Sequence, residues 1–397
     1  MRLGKHCSAF LSLAVATAVG VGLTAAPRRA AAEDLTNGFT TPTYDIQLFR
    51  PAIDSKGYVT VNSSQVLGHL DFSLGLIGTW AYRPLRLVLE SGQAGPDGVT
   101  NNTRVFEVRN LITPQLQFAL GLFKHFEIGV GLPLSILTGN RSVCDPNTLD
   151  NCRGYTGGQN RNDDLSFSRV SIGDLGLHFK GRILNTSRYP VGLGALLSVY
   201  LPISKWANTD GFRTFIAEQN VTVRPQVMVD REFARGRFRM ALNVGALIRF
   251  AQDATFTDTG KPKTADPNAP DMPFCFPSNT GQGAAGPCGT GLSRSVGTQL
   301  TYGLGASLAV VKQRFDLVGE IYGYADLAGN KNAYPLEGLG AVKVYLASKS
   351  FLVAGAGGGF AGFSDSGKQT GGPLWRAFLG VIFEPSIGDR DGDGIKD

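Results

Sequence analysis

Beyond residue 64, apolar side chains fall on alternate positions over most of the chain. The clearest stretch is 115–137. Leu116, Phe118, Leu120 and Leu122 alternate with Gln115, Gln117, Ala119 and Gly121. After a tight link, Ile128, Val130, Leu132, Leu134 and Ile136 alternate with Gly129, Gly131, Pro133 and Ser135. A repeat of two is the strand repeat, so this predicts a hairpin with one apolar and one small or polar face. The pattern returns at 175–183, 191–201, 221–229, 238–250, 300–310, 315–324, 336–346, 351–363 and 375–383. With an opening strand at about 66–80, the reading gives twelve strands.

The connections also alternate. Short ones at 124–125, 185–189, 230–236, 312–314 and 347–350 take turns with long ones. The long ones lie near 90–104, 139–168, 204–215, 252–295, 327–334 and 363–373. Strands in a β-sandwich usually run ~5–6 residues. These run about 10–14, the length that crosses a bilayer when tilted. An even count, short turns at one end and long loops at the other predict an all-β fold. It is a transmembrane antiparallel up-and-down β-barrel of about twelve strands, with short periplasmic turns and long extracellular loops. Trp80, Tyr82, Trp206 and Phe383 are candidates for its interface girdles.

Composition narrows the picture. The 397 residues are 43% apolar and only 18% charged, with 52 glycines that follow no triplet period. Disorder and collagen are excluded. Residues 1–32 stand apart: Arg2 and Lys5 precede an apolar run, and Ala30–Ala32 forms a small-residue cleavage pattern. This reads as a cleaved signal peptide rather than an anchor. Apart from it, no segment approaches the 18 apolar residues of a membrane helix. Its removal leaves 34 basic residues against 32 acidic ones, a charge of +2, which gives no reason to expect nucleic acid. The expected division is 1–32 signal, 33–64 a periplasmic or lumenal segment, 65–385 the barrel and 386–397 an Asp-rich tail. Residues 44–50 and 58–62 look like short strands within the second of these.

Four cysteines remain, as the close pairs Cys144/Cys152 and Cys275/Cys288. In an exported protein this spacing favours two disulfides pinning the two longest loops. The alternative is one zinc site of four thiolates, for which the short C-x2-C spacing is missing. Ionisable residues on the polar face of each strand should line the lumen, because a charge facing lipid costs ~2–4 kcal/mol at mid-depth. These are Asp174, His178, Lys180, Arg182, Arg224, Gln226, Arg239, Asn243, Arg249, Asp316, Glu320, Glu337 and Lys343. They line either a water-filled pore or a salt-bridged, closed lumen; twelve strands lie between the packed and the open barrel sizes.

The tail reads D-x-D-x-D-G-x-x-D, from Asp389 through Asp391 and Asp393 to Asp397. Alternate carboxylates of this kind converge on a hard cation, so the tail reads either as a Ca2+ site or as a plain acidic terminus. The tail resembles the first thrombospondin type-3-like calcium repeat, which in OmpA family outer-membrane proteins links a barrel to a peptidoglycan-binding domain. Gln47–Pro51, Phe118–Pro133, Gly173–Leu177, Asn243–Gly245 and Pro335–Glu337 are similar to that family too. The resemblance implies outer-membrane lipid, lipopolysaccharide and the barrel-assembly machinery as partners. It implies contact with peptidoglycan only through a domain not present here. No G-x-S-x-G elbow, H-E-x-x-H or phosphate loop occurs, His125 reads as turn and His69 and His178 as lumenal polar residues, so an enzyme is not expected. The expected roles are porin-like passage of small solutes in the bacterial outer membrane, an envelope anchor, or surface adhesion through the pinned loops.

Overall fold

A computed structural model describes residues 45–91, 102–123, 125–145, 148–154, 165–204, 216–218, 220–250, 297–327, 335–347, 349–360 and 372–385. Its strands are β1 (Phe72–Ser91), β2 (Asn102–Leu122), β3 (Phe126–Asp145), β4 (Thr148–Gly154), β5 (Leu165–Ile172), β6 (Leu175–Leu184) and β7 (Gly192–Leu201). Then follow β8 (Thr222–Phe233), β9 (Phe238–Arg249), β10 (Gln299–Val311), β11 (Phe315–Asp326), β12 (Leu336–Tyr345), β13 (Phe351–Gly359) and β14 (Trp375–Phe383). Each pairs antiparallel with its neighbour, and β1 pairs with both β2 and β14, so the sheet closes on itself. β5 and β6 both lie against β3, on either side of Gly173 and Asp174, and form a single stave. β4 folds back on the outer end of β3. The ring therefore has twelve staves. Closure leaves no strand edge, which a chain in lipid requires because nothing there can satisfy unpaired backbone groups.

The two faces are sorted opposite to those of a soluble protein. Leu74, Leu116, Leu304 and Leu379 point outward and are exposed, the last at 64%. Their strand neighbours Ser73, Gln117 and Arg376 point inward and are buried. A sandwich would bury the first set; a barrel in lipid presents it as an apolar belt. Trp80 and Tyr82 meet Trp375 at the long-loop end, with ring centroids 4.5 and 5.7 Å apart respectively. Phe123, Phe126, Phe233 and Phe383 are exposed at the short-turn end. These two rings mark the membrane boundaries.

Several boundaries differ from the sequence reading. β1, β2 and β3 run 20, 21 and 20 residues, through much of what reads as loop at 90–104 and 139–168. Only about ten residues are needed to cross, so these strands are longer than the lipid requires, and beyond it alternation is not needed. The link at 230–236 shrinks to a turn. β8 runs to Phe233, and Ala234, Arg235 and Gly236 take positive φ (51°, 58° and 77°) to reverse the chain.

The core lies inside the barrel and includes the segment that precedes it. Residues 45–71 form no strand, contrary to the expectation for 44–50 and 58–62. Phe49, Tyr58, Val59 and Val61 of this segment pack against inward residues of the barrel: Ile77, Val318, Leu339, Phe351, Val353, Phe378 and Ile382.

Candidate functional site

The segment 45–71 enters mid-lumen, descends to the short-turn end and returns along the wall into β1. It closes a small loop on itself, with Ala52 N donating to Val59 O and Tyr58 N to Val61 O, both at 2.8 Å. Chain without a ladder must find partners for its remaining N–H groups. The wall supplies them as carboxylates and amides. Glu320 on β11 accepts the N–H groups of Val59, Thr60 (2.8 Å) and Val61, and the Thr60 hydroxyl (2.6 Å). Asn243 on β9 clasps Asn62 twice, taking its N–H at 2.7 Å and donating to its carbonyl at 2.8 Å. Asp230 on β8 accepts Ser64 N, and Glu127 on β3 accepts Leu67 N, each at 3.0 Å. Lys343 on β12 donates to Gly57 O at 2.7 Å.

Ion pairs complete the seating. Asp54 and Lys180 form a pair in which neither side chain is exposed. Lys56 pairs at 3.0 Å with Glu384, just past β14, and Ser55 also donates to Glu384. On the apolar side Phe49 packs 5.3 Å from Phe378 and 6.4 Å from Tyr322, with the Arg376 guanidinium 5.2 Å above its ring. The chain is thus held by β3, β6, β8, β9, β11, β12 and the end of β14, nearly the whole circumference. It is a plug seated in the short-turn half of the lumen.

The other residues read from sequence as lumenal are placed as follows. Glu337 binds Arg376 (2.9 and 3.1 Å) and the Tyr322 hydroxyl (2.9 Å). His178 meets the Ser198 hydroxyl at 2.9 Å. Arg239 pairs with Asp316 at 3.1 Å. Arg249 grips Glu218 at 2.7 Å, and Glu218 N donates to Asp174 at 2.8 Å. Through these bonds residues 216–218, from the β7–β8 connection, dip into the long-loop half. Arg224 and Gln226 face a cavity between wall and plug. Arg182 lies at the short-turn mouth, where its N–H bonds His125 O, and is not part of the cluster. The register sets Cys144 directly opposite Cys152 on β3 and β4. Cys275, Cys288, Trp206, the signal segment and the tail Asp389, Asp391, Asp393 and Asp397 lie outside the described residues.

Sequence reading missed the plug-binding residues Glu127, Asp230 and Glu384 because they stand at strand ends and read as turn. It also missed the apolar inner face of β11–β14. The signal is present: in 375–383, Phe378 and Ile382 are apolar between Leu379, Val381 and Phe383. A strand apolar on both faces needs an apolar partner on each side, and here the plug is the inner one.

Among the described residues, cavities of about 50 and 40 Å³ lie between plug and wall. Each holds one or two waters.

The return of the plug into β1 depends on Gly121. A Cβ there would lie 2.1 Å from Gly68 O and 2.7 Å from Leu67 O, both backbone atoms. Gly121→Val should therefore push residues 67–71 off the wall. Thermal unfolding in detergent should fall by about 1–3 kcal/mol, the usual cost of overpacking. Protease should also gain access near residue 68; unchanged cleavage would show that the return bends aside freely.

No protein-family model matches the sequence, and no curated protein sequence matches it. Solved structures are similar in shape at low identity. An outer membrane channel from Pseudomonas putida F1 is 12% identical, over 81% of this chain and 98% of that one, with a TM-score of 0.46. The Pseudomonas putida toluene transporter TodX is 8% identical, over 86% and 98%, with a TM-score of 0.40. A Pseudomonas aeruginosa FadL homologue is 9% identical, over 79% and 90%, with a TM-score of 0.35. The fold rests on the closed strand pairing rather than on these likenesses.

Proposed function

We propose that this chain is a channel of the bacterial outer membrane that its own N-terminal segment keeps shut, and that small solutes pass when that segment leaves the wall. The observation that carries the reading is the chemistry of the seat. Most of its ties are hydrogen bonds and ion pairs between wall side chains and plug, with Glu320 at their centre. Such bonds exchange with water at modest net cost, typically ~0.5–1.5 kcal/mol each. Lys180, Asp230, Asn243, Glu320 and Lys343 would line a polar lumen once the plug withdraws. A barrel whose only task was rigidity has no need for an interior wall of ionisable groups, each of which is costly to bury.

Planar-bilayer recording tests this. The intact protein should be silent or flicker briefly, whereas deletion of 45–64 should give lasting current steps. A deletion variant that folds, by β-rich circular dichroism, and stays silent would rule out the channel. The envelope-anchor or adhesion role would then stand. That second reading is favoured by the number of wall strands the plug ties together.

A further inference from the structure

Between the plug and the wall lies the 50 Å³ cavity, and three guanidinium groups from three elements line it: Arg50, Arg224 and Arg249. Two are matched. Arg50 pairs with Asp45 at 2.8 Å, and Arg249 with Glu218 at 2.7 Å. Arg224 is in none of the ion pairs among the described residues. Its contact is the Tyr200 side chain, over whose ring Arg50 also lies at 4.6 Å. Two cations are therefore gathered at one aromatic ring. The Nε of Arg224 is buried and has no hydrogen-bond partner, and neither has the hydroxyl of Thr301, which lines the same cavity. Asp174, the next carboxylate, faces the second cavity and accepts Glu218 N and the Ser204 hydroxyl.

A guanidinium without an anionic partner is costly where it leaves water, and its buried Nε without an acceptor adds to that cost. A water can accept from Nε but leaves the charge unmatched. An anion answers both, and the volume admits a halide or a single carboxylate group. We propose that this cavity is a binding site for one small anion, held by the Nε–H of Arg224 and the Thr301 hydroxyl and seated between wall and plug. The site stands whether or not the barrel conducts. Arg50 of the plug lines the same cavity, so an anion held on the wall by Arg224 and Thr301 also attracts the plug and favours the shut state.

The test uses the whole protein extracted from membranes into detergent. Sodium chloride or sodium acetate replaces sodium gluconate at constant ionic strength, gluconate being too bulky for the cavity. Unfolding temperature should rise and saturate, by roughly 3–6 °C at hundredfold excess over Kd. Arg224→Gln should abolish the saturable rise. Thr301→Val, which leaves every charge in place and guards against a misfolded arginine variant, should weaken the apparent affinity several-fold. Crystals of the unmodified protein grown in bromide should show an anomalous peak beside Arg224 Nε. Equal salt dependence in wild type and Arg224→Gln would overturn the proposal. So would a bromide peak without any saturable rise, which means binding at crystal concentration only. No peak and no rise would mean that the cavity holds water alone.

Discussion

Replacing Glu320 by Ala is expected to unseat the plug. The carboxylate takes three backbone N–H groups and a hydroxyl, and the residue is 3% exposed. Without it, three buried N–H groups lose their acceptor at about 1–3 kcal/mol each, so leaving the wall for water becomes the cheaper state. The bilayer current should change from silence to lasting steps, and protease should cut between residues 45 and 64. Glu320→Gln keeps an acceptor oxygen but not the charge, so its loss should be smaller, about 1.5–3 kcal/mol. A Glu320→Ala protein that stays silent and uncut would show that the apolar contacts of Phe49 and Val61 hold the plug alone.

Lys180→Met should have an effect of similar size with an altered response to acid. In the intact protein burial pushes the Asp54 carboxyl up, but the Lys180 ammonium beside it more than offsets this and holds it below its ordinary value of 3.8. Stability from a carboxyl held low is present above its unfolded value and disappears as pH falls through the folded one. The Asp54 contribution therefore survives to about pH 4 and fails only below it. Removing one partner of a buried pair costs about 3–5 kcal/mol. In Lys180→Met, Asp54 faces Glu127 with no ammonium at contact distance; Lys343 and Asp230 stand farther off. A proton relieves that repulsion, so acidification from pH 7 to pH 5 should improve plug protection in the variant more than in wild type. Parallel pH profiles would show that Asp54 carries no charge in the seat.

The barrel was legible and the plug was not, for a physical reason. A lipid-facing strand must write its environment into every second residue, as Leu116, Phe118 and Leu120 do. That signal is local and periodic. The plug has no period, because its backbone is satisfied by side chains some 180 to 260 positions away, such as Asn243 and Glu320. The lumenal list from alternation contained Lys180, Asn243, Glu320 and Lys343. Nothing local distinguished those that bind plug backbone from Glu337 and Arg239, which bind other wall residues. The doubled apolar pattern of 375–383 was the one local trace of something apolar inside.

The joint between Lys56 and Glu384 also fixes an order of events. The two residues are 328 positions apart, the first ahead of the barrel and the second just beyond its last strand. Ser350, at the start of β13, binds the backbone of Glu384 in both directions, at 3.0 and 3.2 Å. This corner forms only when β14 has joined β13. The part of the barrel domain that leaves the ribosome first therefore takes its final place last, and contacts of such long range are slow to form. Until then Phe49, Tyr58 and Val61 have no barrel interior to cover them. A completed seat at Glu384 then reports that the ring has closed, so the same residues that fill the lumen also register that its construction is finished.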